Sequence, residues 1–180
     1  MTVGYSSACL TGTISTGYTV AAGQSVCISG RVSGGISVQA GGALFLNGAT
    51  VSGGITSNGA AAIRFCGSTI SGNVTVSATT GYVMVGDGGD DGTPACADNS
   101  VTGNVTFSGN TGGIEVAGDT MNGTLSVSGN TGGREDPEIE GNHINGSLSC
   151  ATSNNPTLTD GGHRNTVSGS RIGQCSAGSF

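Results

Sequence analysis

Two glutamates, Glu115 and Glu138, are the residues of this sequence best suited to acid–base chemistry. They occupy equivalent positions in neighbouring copies of an internal repeat, so we expect them on adjacent strands, about 5 Å apart. Carboxylates at that separation act as the catalytic pair of retaining glycosidases, and carboxylates also bind Ca²⁺. His143 lies close by in the sequence, and the Arg64 guanidinium could stabilise negative charge in a lyase reaction. The other interpretation is a solvated acidic face with surface salt bridges.

Aromatic residues make up only 4% of the chain, and the sequence contains no Trp. Clefts that bind sugars commonly present aromatic rings, on which the sugar rings stack. The sequence predicts that Tyr5, Tyr18 and Tyr82 lie away from the two glutamates. The scarcity of aromatic side chains therefore disfavours sugar catalysis at Glu115 and Glu138.

A second candidate site is a column of small hydroxyl side chains on one outer face of the repeat. Its members, one from each copy, are Ser15, Ser37, Thr56, Thr75, Thr106, Ser126 and Ser149. Another such column comprises Thr50, Thr69, Ser100, Thr120, His143 and Thr166. Flat arrays of this kind resemble the ice-binding faces of β-solenoid antifreeze proteins, and that resemblance implies ice binding as one alternative. The simpler interpretation is that Thr is favoured on the solvated face of any strand.

Acidic residues also cluster in the segment from residue 86 to residue 98, where one copy of the repeat is longer than the others. Asp87, Asp90 and Asp91 stand among glycines, as in acidic Ca²⁺-binding loops, although their spacing is not that of an EF-hand. Ca²⁺ is the one cofactor that the sequence suggests. The alternative is a loop that is tethered by a disulfide and binds nothing.

The six cysteines favour disulfides, because their number is even and no C-x-x-C pair occurs. Disulfides indicate an oxidising compartment, so the sequence predicts a secreted or cell-surface protein. The alternative is a cytosolic protein with six buried thiols. Of the 15 possible connectivities, the repeat favours one in which each pair lies on adjacent coils. These pairs are Cys9–Cys27, Cys66–Cys96 and Cys150–Cys175.

An internal repeat indicates which elements position these residues. Glycine accounts for 36 of the 180 residues of the chain, and some of these glycines recur at regular intervals. The repeating glycines are Gly12, Gly34, Gly53, Gly72, Gly103, Gly123, Gly146 and Gly169. Each copy holds three short segments in which apolar residues alternate with small polar ones, a pattern typical of strands. Such units are too thin to bury an apolar face alone, so they must stack. The sequence predicts an all-β parallel β-helix of about seven three-stranded coils.

We expect one domain over residues 1–180. Residues 1–30 would form the N-terminal cap and first coil, residues 86–98 an inserted loop, and residues 168–180 the C-terminal cap. The five arginines are dispersed and the pI is near 4.5, which argues against nucleic-acid binding. No apolar stretch approaches the roughly 20 residues of a membrane-spanning helix.

Three strands per coil, inward aliphatic columns and asparagine corners resemble the right-handed parallel β-helix superfamily of pectate lyases and polygalacturonases. The segments Asn73–Val76, Ser108–Gly113 and Ile172–Cys175 look more specifically like small secreted actinobacterial β-helix proteins of unassigned function. The resemblance implies a right-handed helix and export, and it gives no activity.

Together these features favour a non-catalytic structural or surface-binding module. Its expected partners are cell-wall or extracellular polysaccharide, or further copies of itself. The first alternative is a polysaccharide lyase or glycoside hydrolase that uses Glu115 and Glu138. The second alternative is an ice-binding protein that uses the hydroxyl column.

Overall fold

Short strands recur up to three times in each turn of the chain, because apolar side chains alternate with small polar ones before a glycine or asparagine corner. The computed structural model describes residues 8–87, 96–133, 137–177 and 180. In these residues, successive turns stack in parallel and form three sheets, A, B and C, of a solenoid with about eight turns. The predicted all-β solenoid is confirmed, with one turn more than expected.

The strands follow the chain in the order A, B, C within each turn. Sheet A contains β3 (Ser25–Ile28), β6 (Ala43–Asn47), β9 (Ala62–Cys66), β12 (Val83–Val85), β15 (Ile114–Ala117) and β18 (Glu138–Glu140). Sheet B contains β1 (Thr13–Ile14), β4 (Arg31–Val32), β7 (Thr50–Val51), β10 (Thr69–Ile70), β13 (Ser100–Val101), β16 (Thr120–Met121), β19 (His143–Ile144) and β21 (Thr166–Val167). Sheet C contains β2 (Tyr18–Val20), β5 (Ile36–Val38), β8 (Ile55–Asn58), β11 (Val74–Ser77), β14 (Val105–Ser108), β17 (Leu125–Ser128), β20 (Leu148–Cys150) and β22 (Arg171–Gly173).

The core lies inside the solenoid, where the inward side chains of the three sheets meet. In sheet B, for example, Val51, Ile70 and Val101 are neighbours on successive strands, and each is buried. Phe65 in sheet A and Phe107 in sheet C are fully buried and are among the largest side chains of this core. Columns of identical or similar side chains thus hold each turn in register with the next.

The first turn differs from the sequence prediction. Thr13 pairs with Arg31 in sheet B, and the sheet C partner of Ser37 is Thr19. The segment that begins at Gly12 therefore belongs to sheet B, and Ser15 does not belong to the hydroxyl column. In both segments a small residue, Thr13 or Thr19, precedes an apolar one. The sequence alone is therefore compatible with either segment as the first strand of sheet C.

Two columns of asparagine lie at buried corners of the solenoid. In the column formed by Asn110, Asn130 and Asn154, each side-chain oxygen accepts a hydrogen bond from a backbone N–H of the preceding turn. The side-chain amides donate to the carbonyls of Val76, Phe107 and Val127. These ladders satisfy corner groups that the strands leave unpaired.

The other column, here called the inner ladder, consists of Ser68, Asn99, Asp119, Asn142 and Asn165. It lies at the corner between sheets A and B. All five residues are buried. Asp119 therefore takes a position that asparagine occupies in the neighbouring turns.

Disulfides join Cys9 to Cys27, Cys66 to Cys96 and Cys150 to Cys175, as the repeat predicts. The last pair lies at the C-terminal end of the solenoid, where a short 3₁₀ helix (Gln174–Ser176) follows β22. At the base of the inserted loop, Asp87 forms an antiparallel bridge with Cys96. Among the described residues, no helix is long and apolar enough to cross a membrane.

Candidate functional site

The hydroxyl column lies on the outer face of sheet C and extends through successive strands without interruption. Its members, paired Cα to Cα from turn to turn, are Thr19, Ser37, Thr56, Thr75, Thr106, Ser126 and Ser149. Ser37, Thr56 and Thr75 are exposed, and the last three members are partly exposed. At the C-terminal edge the column ends at Ile172, whose side chain is also exposed.

A second outer column lies at the corner that precedes sheet C, and hydrogen bonds fix its side chains. The side-chain oxygen of Asn73 accepts from the Asn104 N–H at 2.8 Å, and that of Asn104 accepts from the Thr124 N–H at 2.9 Å. Thr124 Oγ1 accepts from the Ser147 N–H at 3.4 Å. In the earlier turns Gly35 and Gly54 take these positions, since a Cβ there would lie within 3 Å of a backbone oxygen of the next turn.

A third outer column, at the far end of the strands, consists of Asn58, Ser77, Ser108 and Ser128. From β5 to β20, every outward side chain of sheet C is uncharged and non-aromatic. The face therefore presents hydroxyl and amide groups at a spacing of about 4.8 Å along the solenoid. Groups of this kind both donate and accept hydrogen bonds, so they suit a hydroxyl-rich ligand with a repeating structure.

Sheet B carries a single outward column, formed by Thr13, Arg31, Thr50, Thr69, Ser100, Thr120, His143 and Thr166. Its strands have only two residues each, so the face is narrower than that of sheet C. His143 belongs to this column, on a different sheet from Glu138. The structure therefore separates His143 from the glutamate with which the sequence grouped it.

The glutamates lie on the outward side of sheet A, where Glu115 is the Cα partner of Glu138. Glu115 is only 1% exposed, and its Oε2 accepts a hydrogen bond from the Tyr82 hydroxyl at 2.7 Å. Tyr82 thus contacts the acidic cluster, contrary to the sequence prediction. In this column Met84 lies between Arg64 and Glu115, so Arg64 is not on the strand adjacent to Glu115.

Later residues cover the same end of sheet A. The Thr159 hydroxyl donates to Glu138 Oε1 at 3.2 Å, and His163 Nδ1 lies 3.1 Å from Oε2 of the buried Glu140. The sequence did not assign Tyr82, Thr159 or His163 to the site of the two glutamates. Thr159 is the bridge partner of Glu138 in the next turn, so the repeat could have predicted its position. The contacts of Tyr82 and His163 depend on the conformation of the segments between strands, which the repeat does not predict.

The remaining candidates concern Ca²⁺. Among the described residues, no group of three or more His, Cys, Asp or Glu side chains could hold a metal ion. Asp87 is buried at the base of the inserted loop. Asp90 and Asp91 lie outside the described residues, so the acidic-loop hypothesis stays a prediction.

Comparison with known proteins found no match: neither a family model, nor a curated protein, nor a solved structure is significantly similar to this chain.

Proposed function

We propose that this protein is a secreted, non-catalytic module that binds extracellular polysaccharide through the outer face of sheet C. The observation that carries the proposal is the uninterrupted, uncharged hydroxyl column from Ser37 to Ser149. From Thr75 to Ser126 this column lies between two further columns of small polar side chains. Export is supported by the three disulfides.

The periodicity of the face suits an ordered polymer better than a single sugar. One hydrogen bond contributes only about 0.5–1.5 kcal/mol net, but a ligand that repeats along its length can form several at once. The strand ladders and the hydrogen bonds of Asn73 and Asn104 hold the outer groups in place before binding. Less conformational entropy is then lost when the ligand is bound.

The lyase or hydrolase alternative receives less support from the geometry. Its nucleophile or acid would be Glu115, which is buried and accepts a hydrogen bond from Tyr82. A substrate oxygen would have to displace Tyr82 to reach the carboxylate. We therefore interpret this contact as packing on the outside of sheet A.

Co-sedimentation with insoluble polysaccharides tests the proposal. Purified protein is mixed with cellulose, chitin or cell-wall peptidoglycan, and the bound fraction is measured for the wild type and for Thr75→Arg. We expect the wild type to sediment with at least one polymer and Thr75→Arg to lose at least tenfold in affinity, because a long charged side chain interrupts the centre of the column.

Thr69→Arg is the matched control. Thr69 lies in the same turn as Thr75 and is also exposed, but it belongs to sheet B. This variant should bind like the wild type. Equal losses for both variants, or no binding by the wild type to any polymer, would exclude sheet C as a polysaccharide-binding face.

Ice binding and self-association are the other uses of such a face, and the same variants distinguish them. Thermal hysteresis of the wild type that Thr75→Arg abolishes would show that ice is the ligand. Concentration-dependent oligomers in sedimentation velocity that Thr75→Arg dissociates would show that a second copy of the chain occupies the face.

A further inference from the structure

Asp119 occupies a position of the inner ladder at which its neighbours use an amide. Asn99, Asn142 and Asn165 each donate from Nδ2 to a carbonyl of the preceding turn, on Phe65, Val116 and Ile139 respectively. These three carbonyl residues are equivalent in the register of sheet A, and Val85 is the equivalent residue for Asp119. An ionised carboxylate has no hydrogen with which to donate there.

The two carboxyl oxygens of Asp119 have different surroundings. Oδ1 accepts hydrogen bonds from Asn99, from its backbone N–H at 2.6 Å and from Nδ2 at 2.9 Å. Oδ2 is buried and has no hydrogen-bond partner among the described residues. The side chain as a whole is completely buried. An unpaired negative charge in such a place would be strongly destabilising.

We propose that Asp119 is a proton-dependent latch in the inner ladder: it is neutral in the native fold, with its proton on Oδ2, and ionisation loosens the corner at Asn99. The neutral carboxyl group reproduces an asparagine, since one oxygen accepts and the other donates. Ionisation transfers this proton to water and leaves an acceptor where the ladder needs a donor.

The electrostatic surroundings of Asp119 also favour its neutral form. Burial raises the pKa of Asp119 well above its usual range, the charge of Asp98 adds to this effect, and the hydrogen bonds from Asn99 oppose it. The titratable residues of the adjacent corners are Asp87 and Asp98 in the preceding turn and Glu140 and His143 in the following turn. Glu140 is paired with His163, and His143 is exposed on sheet B.

The sign of the pH dependence follows from the raised pKa. In the unfolded chain Asp119 ionises near its ordinary value of about 3.9, whereas in the folded protein it keeps its proton to higher pH. Between these two values the folded state binds more protons. The equilibrium constant for folding therefore falls by up to tenfold for each pH unit above about 4, and it levels off above the folded pKa.

The first test measures the carboxyl group directly. The ¹³C chemical shift of the Asp119 carboxyl carbon is followed against pH in the wild-type protein by NMR, together with the exchange rate of the Asn99 amide. We expect Asp119 to titrate well above the solvated aspartates and the Asn99 amide to exchange faster above that midpoint. A midpoint near the ordinary value, or exchange at Asn99 that does not follow the midpoint, would overturn the proposal.

The second test compares unfolding across the pH range for Asp119→Asn and for Asp160→Asn, a partly exposed aspartate outside the ladder. Asp119→Asn should remove the tenfold-per-unit loss and fold more favourably than the wild type at neutral pH. Asp160→Asn should keep the wild-type dependence. If Asp119→Asn retains that dependence, the latch is not Asp119; if this variant fails to fold, the NMR titration decides.

Discussion

A single amide, that of Asn130, shows how one residue connects three turns of the solenoid. Its Oδ1 accepts from the N–H and Nδ2 of Asn110, and its Nδ2 donates to Phe107 O and Asn154 Oδ1. Every polar atom of the side chain is therefore satisfied in a fully buried position. Buried networks of this kind favour one arrangement of the chain, since any slip leaves several groups unpaired.

Replacement of Asn130 by Ala should destabilise the protein by about 3 kcal/mol, because buried donors on Asn110 and an acceptor on Phe107 lose their partner. The free energy of unfolding from urea titration measures the effect. Asn145→Ala is the matched control: Asn145 is exposed and its side-chain amide donates to the exposed Asn122, so a loss below about 0.5 kcal/mol is expected. Equal losses in the two variants would contradict the structural role of the ladder.

At the scale of the strand and its corner, the sequence predicts the columns but not every register. Alternation with a period of two predicts which residues of β11 and β14 face inward, and the structure confirms it. The asparagine ladders could not be predicted with their partners, because each hydrogen bond joins residues of different turns. The burial of Glu115 likewise depends on loops that pack over sheet A, and no local pattern encodes their path.

The corner glycines provide a test of the close packing between neighbouring turns. A Cβ at Gly103 would lie 2.5 Å from Asn73 Oδ1 and 2.7 Å from Asn73 N, so Gly103→Ala should destabilise the protein by about 1–3 kcal/mol. The sequence grouped Gly12 with Gly103, but a Cβ at Gly12 would have no neighbouring atom within 4 Å among the residues that the structure describes. Gly12→Ala should be neutral or slightly stabilising. Thermal unfolding measures the stability of both variants, and a comparable loss at Gly12 would contradict the difference in packing around the two glycines.

Across the whole molecule, charge and the hydroxyl column are distributed unevenly. All 11 acidic residues occur from Asp87 onward, and the only charged residues before it are Arg31 and Arg64. The exposed members of the column, from Thr19 to Thr75, lie in this first half. The proposed binding face is therefore most accessible where carboxylates are absent, which suits a neutral polymer.

The solenoid is held together by contacts between neighbouring turns, so a change at one end should remain local. The Cys150–Cys175 disulfide spans 25 residues and clamps the C-terminal edge, where Cys175 and Phe180 are buried. In the chain-entropy model, closure of a loop of that length contributes about 3 kcal/mol. Replacement of both cysteines by Ala should free amides of β20 and β22 to exchange rapidly, while β9 and β12 keep their protection.

Native-state hydrogen exchange measures this prediction strand by strand. The matched control replaces Cys66 and Cys96, a pair at the base of the inserted loop, and should leave the C-terminal amides protected. Nearest-neighbour coupling requires the loss of protection to decrease with distance from the opened end. A uniform loss over all turns in the Cys150 and Cys175 variant would instead show that the solenoid unfolds as one cooperative unit, whose stability the end clamp sets globally.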